Sequence, residues 1–195
     1  VTTLAGSGAG GFADGQGAAA SFNGPGGVAV DGNGNVIVGD VDNLRIRKIA
    51  PDGTVTTLAG SGARGFADGQ GAAASFRFTD AVALDGDGNV IVSDFNNHCI
   101  RKVAPDGTVT TLAGSGAGGF ADGQGAAASF RSPFGVALDG DGNVVVGDVL
   151  NHRIRKIATD GTVTTVAGSG TEGFVDGQGA AARFNCPGGV ALDGD

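Results

Sequence analysis

Methionine is absent from all 195 positions, glutamate occurs once, at Glu172, and there are only two histidines and two cysteines. Each scarcity excludes something. A chain that starts at Val1 without any methionine is expected to be a processed product or an excerpt of a longer parent. Cys99 and Cys186 hold non-equivalent places in the internal repeat described below, so neither belongs to a repeated disulfide or metal framework. That leaves the redox compartment open, with an extracellular setting favoured. Basic residues are few, 12 Lys and Arg against 20 acidic residues, for a net charge of −8. Nucleic-acid affinity rests on clustered Lys and Arg releasing counterions, so no nucleic-acid partner is expected. No apolar run approaches the roughly 20 residues that span a bilayer, so no membrane insertion is expected either.

Glycine and short apolar groups are abundant: 40 glycines, with 41% of residues hydrophobic. Glycine-rich disordered chains lack that apolar content, so a packed β protein is indicated. The tripeptide VTT recurs at Val1, Val55, Val109 and Val163, a constant spacing of 54 residues. The units are 1–54, 55–108, 109–162 and a partial 163–195. Within the third, Val- and Ile-rich segments bounded by Gly, Asn, Asp and Pro predict four strands: A (135–139), B (144–148), C (153–158) and D (162–168). Short antiparallel strands with two apolar faces must bury both sides against neighbours, which describes a blade of an all-β propeller. Three complete blades are expected, with an orphan strand D at Val1–Ala5 and an orphan strand A at Val190–Asp193. Propellers close with about 4 to 8 blades. Further blades are therefore expected from the parent chain or from other copies.

The stretches 34–53, 88–107 and 142–161, each running from Gly-Asn through a variant of Asp-x-x-Asn-His-x-Ile-Arg-Lys to Asp-Gly, resemble the NHL repeat, named for an Asn-His-Leu signature. Leu44 stands at the histidine position of the first unit, and Cys99 stands where Arg45 and Arg153 lie in the others. The unit is also longer than the roughly 40–45 residues of common blades, the excess lying in the D-to-A crossover. The resemblance implies a propeller. It also implies one catalytic alternative, a lyase- or lactonase-like enzyme whose metal ligands would lie in blades outside this segment.

Several motifs carry the form of chemistry without its context. Gly-x-Gly-x-x-Gly recurs four times in register, at 6–11, 60–65, 114–119 and 168–173, with no long helix after it, and reads as a flexible crossover instead of a dinucleotide site. Asp85 with Asp87, and Asp139 with Asp141, have the alternate-oxygen spacing that opens a calcium loop, but the closing glutamate is missing and a hairpin turn is the simpler reading. His98 and His152 are one period apart and read as loop anchors, because Leu44 breaks any ring of ligands. No catalytic residue and no cofactor is expected. If strands B and C form a hairpin, Asp40 faces Arg45 and Asp148 faces Arg153 as structural ion pairs, while Asp94 faces Cys99 and the second blade lacks the pair.

Compared with one another, the units differ mainly at 23–27, 77–81, 131–135 and 185–189, and at 41–45, 95–99 and 149–153. These are the D-to-A and B-to-C connections, which share one face of a propeller. Arg77, Phe78, Asp80, Phe95, Arg131, Phe134 and Leu150 are accordingly candidates for a binding face, with the phenylalanines as exposed anchors. The expected function is a noncatalytic scaffold that binds a protein partner, or associates with itself, through that face.

Overall fold

In a computed structural model that describes residues 1–193, the chain forms three five-stranded antiparallel sheets. The first comprises β1 (Gly15–Gln16), β2 (Pro25–Val30), β3 (Val36–Asp40), β4 (Arg45–Ile49) and β5 (Thr54–Ala59), in the order β1-β5-β4-β3-β2. The second has β6 (Gly69–Gln70), β7 (Thr79–Leu84), β8 (Val90–Asp94), β9 (Cys99–Val103) and β10 (Thr108–Ala113) in the same order. The third has β11 (Gly123–Gln124), β12 (Pro133–Leu138), β13 (Val144–Asp148), β14 (Arg153–Ile157) and β15 (Thr162–Ala167). Strands A to D are therefore β2–β5, β7–β10 and β12–β15, and the architecture is that of propeller blades.

The turns explain why these segments pair. In the A-to-B connection Asp31 Oδ1 accepts the N–H groups of Asn33 (2.9 Å) and Asn35 (2.8 Å), while Gly34 takes φ +78° at the tip. Such an Asx turn reverses the chain within the hairpin. The calcium candidates Asp85 and Asp139 make the same bonds to their own turns, to Asn89 and to Asn143, at 2.8 Å.

Each blade carries a fifth strand that the periodicity does not announce. The crossover runs along the free edge of strand D, where Gly15 and Gln16 pair with Val55 and Thr54. It thereby covers backbone groups that an open edge would leave unpaired. The crossover is an ordered strap and not a flexible connection. The identical dipeptide Gly177–Gln178 lies outside any strand, as do Val1–Ala5 and Val190–Asp193, the expected orphan strands. Gly135 N–H does donate to Gly188 O at 3.0 Å, so the final segment begins in the strand A position. With no ladder partner for its remaining backbone groups, it does not become a strand.

Apolar cores lie between blades. Ile37, Ile46 and Ala59 of the first blade pack with Phe76, Val82, Val92 and Val103 of the second; Ile91, Ile100 and Ala113 pack with Phe130, Val136, Val146 and Ile157 of the third. Glycines set how closely blades approach: a methyl on Gly39 would meet the carbonyl oxygen of Thr79 in the next blade.

The hairpin register is the expected one, with Asp40 opposite Arg45 and Asp148 opposite Arg153, but the ion pairs are not. Asp40 pairs with Arg47 at 2.7 Å, and Asp148 with Arg155 at 2.7 Å. The second blade, expected to lack the pair, has it between Asp94 and Arg101 at 2.9 Å. Residues two apart share a strand face, and a long side chain reaches the diagonal carboxylate. The arginine directly opposite sits at the hairpin mouth. There Arg45 donates to Asn43 O (3.0 Å) and Ser61 O (3.0 Å), and its guanidinium lies 3.8 Å from the Phe12 ring centroid. The deeper arginine is fully enclosed, and a charge so placed must be paired. Its second carboxylate comes from the strap: Asp14 to Arg47 (2.7 Å), Asp68 to Arg101 (2.6 Å) and Asp122 to Arg155 (2.7 Å). Each of these arginines also lies between two rings, Phe66 and Phe76 in the case of Arg101.

Candidate functional site

The two connections that vary between units are bound to each other. Asp94 is buried; its Oδ1 accepts Arg77 N–H (2.8 Å), and its Oδ2 accepts Asn97 Nδ2 (2.9 Å) as well as Arg101. Burial raises the Asp94 carboxyl above its usual range, against these hydrogen bonds and the Arg101 charge. The short turn Phe95–Asn97 is fastened to the D-to-A loop by Phe95 N–H to Phe78 O and Asn96 N–H to Arg77 O, both 3.1 Å. Leu150 N–H reaches Arg131 O in the same way at 3.1 Å. A saturated buried carboxylate thus holds two loops whose outward side chains are free to differ.

The histidines join neighbouring blades. His98 and His152 occupy the left-handed region (both φ +53°), where non-glycine residues are uncommon. In that position Nδ1 of His98 accepts the N–H of Ser132 at 3.1 Å, and Nδ1 of His152 accepts that of Cys186 at 3.2 Å. Burial, then the nearby Arg77 and Arg131 charges, lower the His98 pKa, against Asp148 and Asp94, which raise it. The unfolded chain therefore takes up this proton first as pH falls through the ordinary value of 6.5. The stabilising contribution is complete above that pH and is lost progressively below it. The melting temperature is expected to drop on acidification below this point, and to drop less steeply in His98→Leu, whose side chain occupies the same position as Leu44. Equal slopes in the two proteins would show that the imidazole is not the group responsible.

The binding-face candidates come together in part. Phe78, Phe95 and Phe134 form a row, with ring centroids 5.8 Å apart for the first pair and 6.2 Å, edge to face, for the second. The rings are half-buried where exposed anchors were expected, because each covers the next. Arg77 and Arg131 are exposed beside the row, and Leu150 is 42% exposed. Asp80 is half-buried, its carboxyl raised above the usual range by burial. A pocket of about 220 Å³ opens on this face between the first two blades, lined by Val41, Asp42, Leu44, Arg64, Arg77, Phe78 and Asn96. Arg64 was not among the sequence candidates. The signal for it was present, since the equivalent positions hold Gly10, Gly118 and Glu172.

On the opposite face the turn carboxylates meet lysines, with Lys102 3.3 Å from Asp85 and Lys156 2.9 Å from Asp139. Bonding to Asn143 and Lys156 holds the Asp139 carboxyl well below its ordinary range. Asp87 and Asp141 are exposed. Among the described residues, no group of three or more His, Cys, Asp or Glu side chains is arranged to hold a metal ion.

Three stretches, 22–49, 80–103 and 130–157, match the family described as NHL repeat. Over 107 residues, 53% of this chain, the sequence is 38% identical to NHL repeat-containing protein 2 of Gallus gallus. Among solved structures, an auxiliary nutrient binding protein from Bacteroides ovatus superposes with a TM-score of 0.72 at 22% identity over 89% of this chain. A streptogramin B lyase superposes with a TM-score of 0.53 at 14% identity over 73%. At those identities the likeness is one of fold. The chain spans 14% of the chicken protein's length, and 44% and 40% of the two structures' chains. With one match in each of its three blades, all in the same phase, the chain carries three NHL repeats, one per β-propeller blade.

Proposed function

We propose that this chain is part of a noncatalytic propeller that docks a protein partner on the face carrying the D-to-A and B-to-C connections. The observation that carries this reading is the Phe78–Phe95–Phe134 row flanked by Arg77 and Arg131. Part-exposed aromatic rings beside arginines are the side chains that dominate binding energy at protein interfaces. The groups on this face that could do chemistry are otherwise engaged. Asp94 and Asp148 are saturated, and both histidines spend Nδ1 on backbone N–H groups.

The same reading includes further blades, from the parent chain or from other copies. Val82 and Val136, both 8% exposed, are covered by a preceding blade, whereas the equivalent Val28 is 62% exposed. Phe174, in the crossover beyond the third blade, is 88% exposed.

Panning a displayed random-peptide library on the chain tests the docking face. Selected peptides should lose about 2 kcal/mol or more of binding free energy on Phe95→Ala or Phe134→Ala, the scale of interface hot spots. Peptides indifferent to both changes would sink the proposal. Stoichiometric zinc or calcium accompanied by turnover in the parent protein would favour the catalytic alternative, a metal-dependent lyase- or lactonase-like propeller.

A further inference from the structure

The pocket between the first two blades differs from its counterparts in three ways. First, it holds two arginines that form no ion pair. Positions 64 and 77 are neighbours, as their equivalents in the last crossover show: Asn185 Nδ2 donates to Glu172 Oε1 at 3.0 Å. The backbone bridge between Arg64 and Phe76 holds the same juxtaposition in the second blade. Yet among the described residues neither the Arg64 nor the Arg77 guanidinium makes an ion pair, a hydrogen bond or an aromatic contact. Asp42, on the pocket rim, is turned toward Gly24 and forms no ion pair with either.

Second, the pocket has a backbone donor that the other junctions use up. Ser132 and Cys186 give their N–H groups to the histidines of the preceding blade. The equivalent residue here is Phe78, and the side chain in the histidine position is Leu44, which accepts nothing. No hydrogen bond from Phe78 N–H is formed among the described residues. Third, Val41, Leu44 and the Phe78 ring give the pocket an apolar wall, beside the polar Asp42 and Asn96.

Two guanidiniums, a spare N–H and an apolar wall are a complement for an oxyanion attached to a nonpolar group. We propose that this pocket binds the carboxylate of an acidic residue, next to an apolar side chain, in a peptide segment of the partner protein. This assignment rests on the reading of the surrounding face as a docking surface. Charge favours it locally, since a chain with a net charge of −8 here presents two bare cations side by side.

The test is an NMR titration of the backbone amides with two capped peptides, Gly-Phe-Glu-Leu-Gly and its Gln counterpart, and with inorganic phosphate. The Glu peptide should shift Leu44, Arg64, Arg77 and Phe78. Its affinity should fall at least tenfold in Arg64→Gln and in Arg77→Gln. It should fall as well in Leu44→His, which restores the imidazole acceptor for Phe78 N–H. Lys102→Gln, on the opposite face beside Asp85, should leave it unchanged. Equal binding of the Gln peptide would overturn the assignment, as would binding insensitive to Arg64→Gln. Phosphate reproducing the same shifts at the same concentration would overturn the peptide as ligand in favour of a free oxyanion. Shifts confined to Phe95 and Phe134 would overturn this pocket while leaving the docking face standing; no shift anywhere on the face would count against both.

Discussion

Replacing Arg101 with methionine is expected to lower the free energy of unfolding by about 3–5 kcal/mol, the cost of removing one partner from a buried ion pair. The guanidinium is fully buried, and it holds Asp94, Asp68 and the carbonyls of Ser75 and Ala67 at 2.6–3.2 Å. Methionine fills much of the volume but strands the Asp94 carboxylate and frees the strap. Asp68 also bonds Thr111 of β10, so losing its arginine loosens the cover of the sheet edge. Adding Asp94→Asn removes the stranded charge and should recover part of the loss. The comparison is Arg153→Cys, the residue nature places at 99. Arg153 is half-buried over the Phe120 ring at 3.7 Å, and its loss should cost about 0.5–1 kcal/mol, the scale of an exposed cation–π contact. Urea unfolding of the two variants decides the matter. Comparable losses would mean that the deep arginine is not the lock of the strap.

Gly39→Ala is expected to cost about 1–3 kcal/mol, the range for forcing an extra carbon into a packed region. The new methyl would press on the Thr79 carbonyl, and backbone on both sides leaves no flexible side chain to yield. The first two blades must then separate slightly, which loosens the core around Ile46 and Phe76. Ser93 occupies the equivalent position in the second blade, where its hydroxyl accepts Ala81 N–H at 3.1 Å, so the two junctions are not built alike. Gly86→Ala is the control. A methyl there meets nothing within 4 Å, and the change should fall within about 0.5 kcal/mol of zero. Faster hydrogen exchange at the amides of β2 and β7 in Gly39→Ala alone would locate the effect at the blade junction. An unchanged unfolding midpoint would contradict it.

Much of this molecule is legible as sequence. The spacing of 54 residues, the Val and Ile runs and the Asp-Asn-Gly turns determine three blades, their strand order and the B-to-C register that sets Asp148 opposite Arg153. The face on which units differ is legible too, although Arg64, lying in a crossover read as a connection, escapes notice. What is not legible is which of two arginines on one strand face takes a carboxylate. Both satisfy the same alternation, and the choice turns on Phe12, Asp14 and Phe22, 25 to 35 residues before Arg47 in the chain, which enclose Arg47 and leave Arg45 at the mouth.

The clearest division comes from one dipeptide. Gly-Gln at 15–16, 69–70 and 123–124 is a strand, and the same Gly-Gln at 177–178 is not. Local sequence alone determined the hairpins, because their turns and apolar alternation are written within one unit. Tertiary structure decided the fifth strand, the buried arginine lock and the unpaired cations of the pocket. A strand pairs only where a neighbouring edge offers its backbone, and a charge is locked or left free according to which distant carboxylate reaches it.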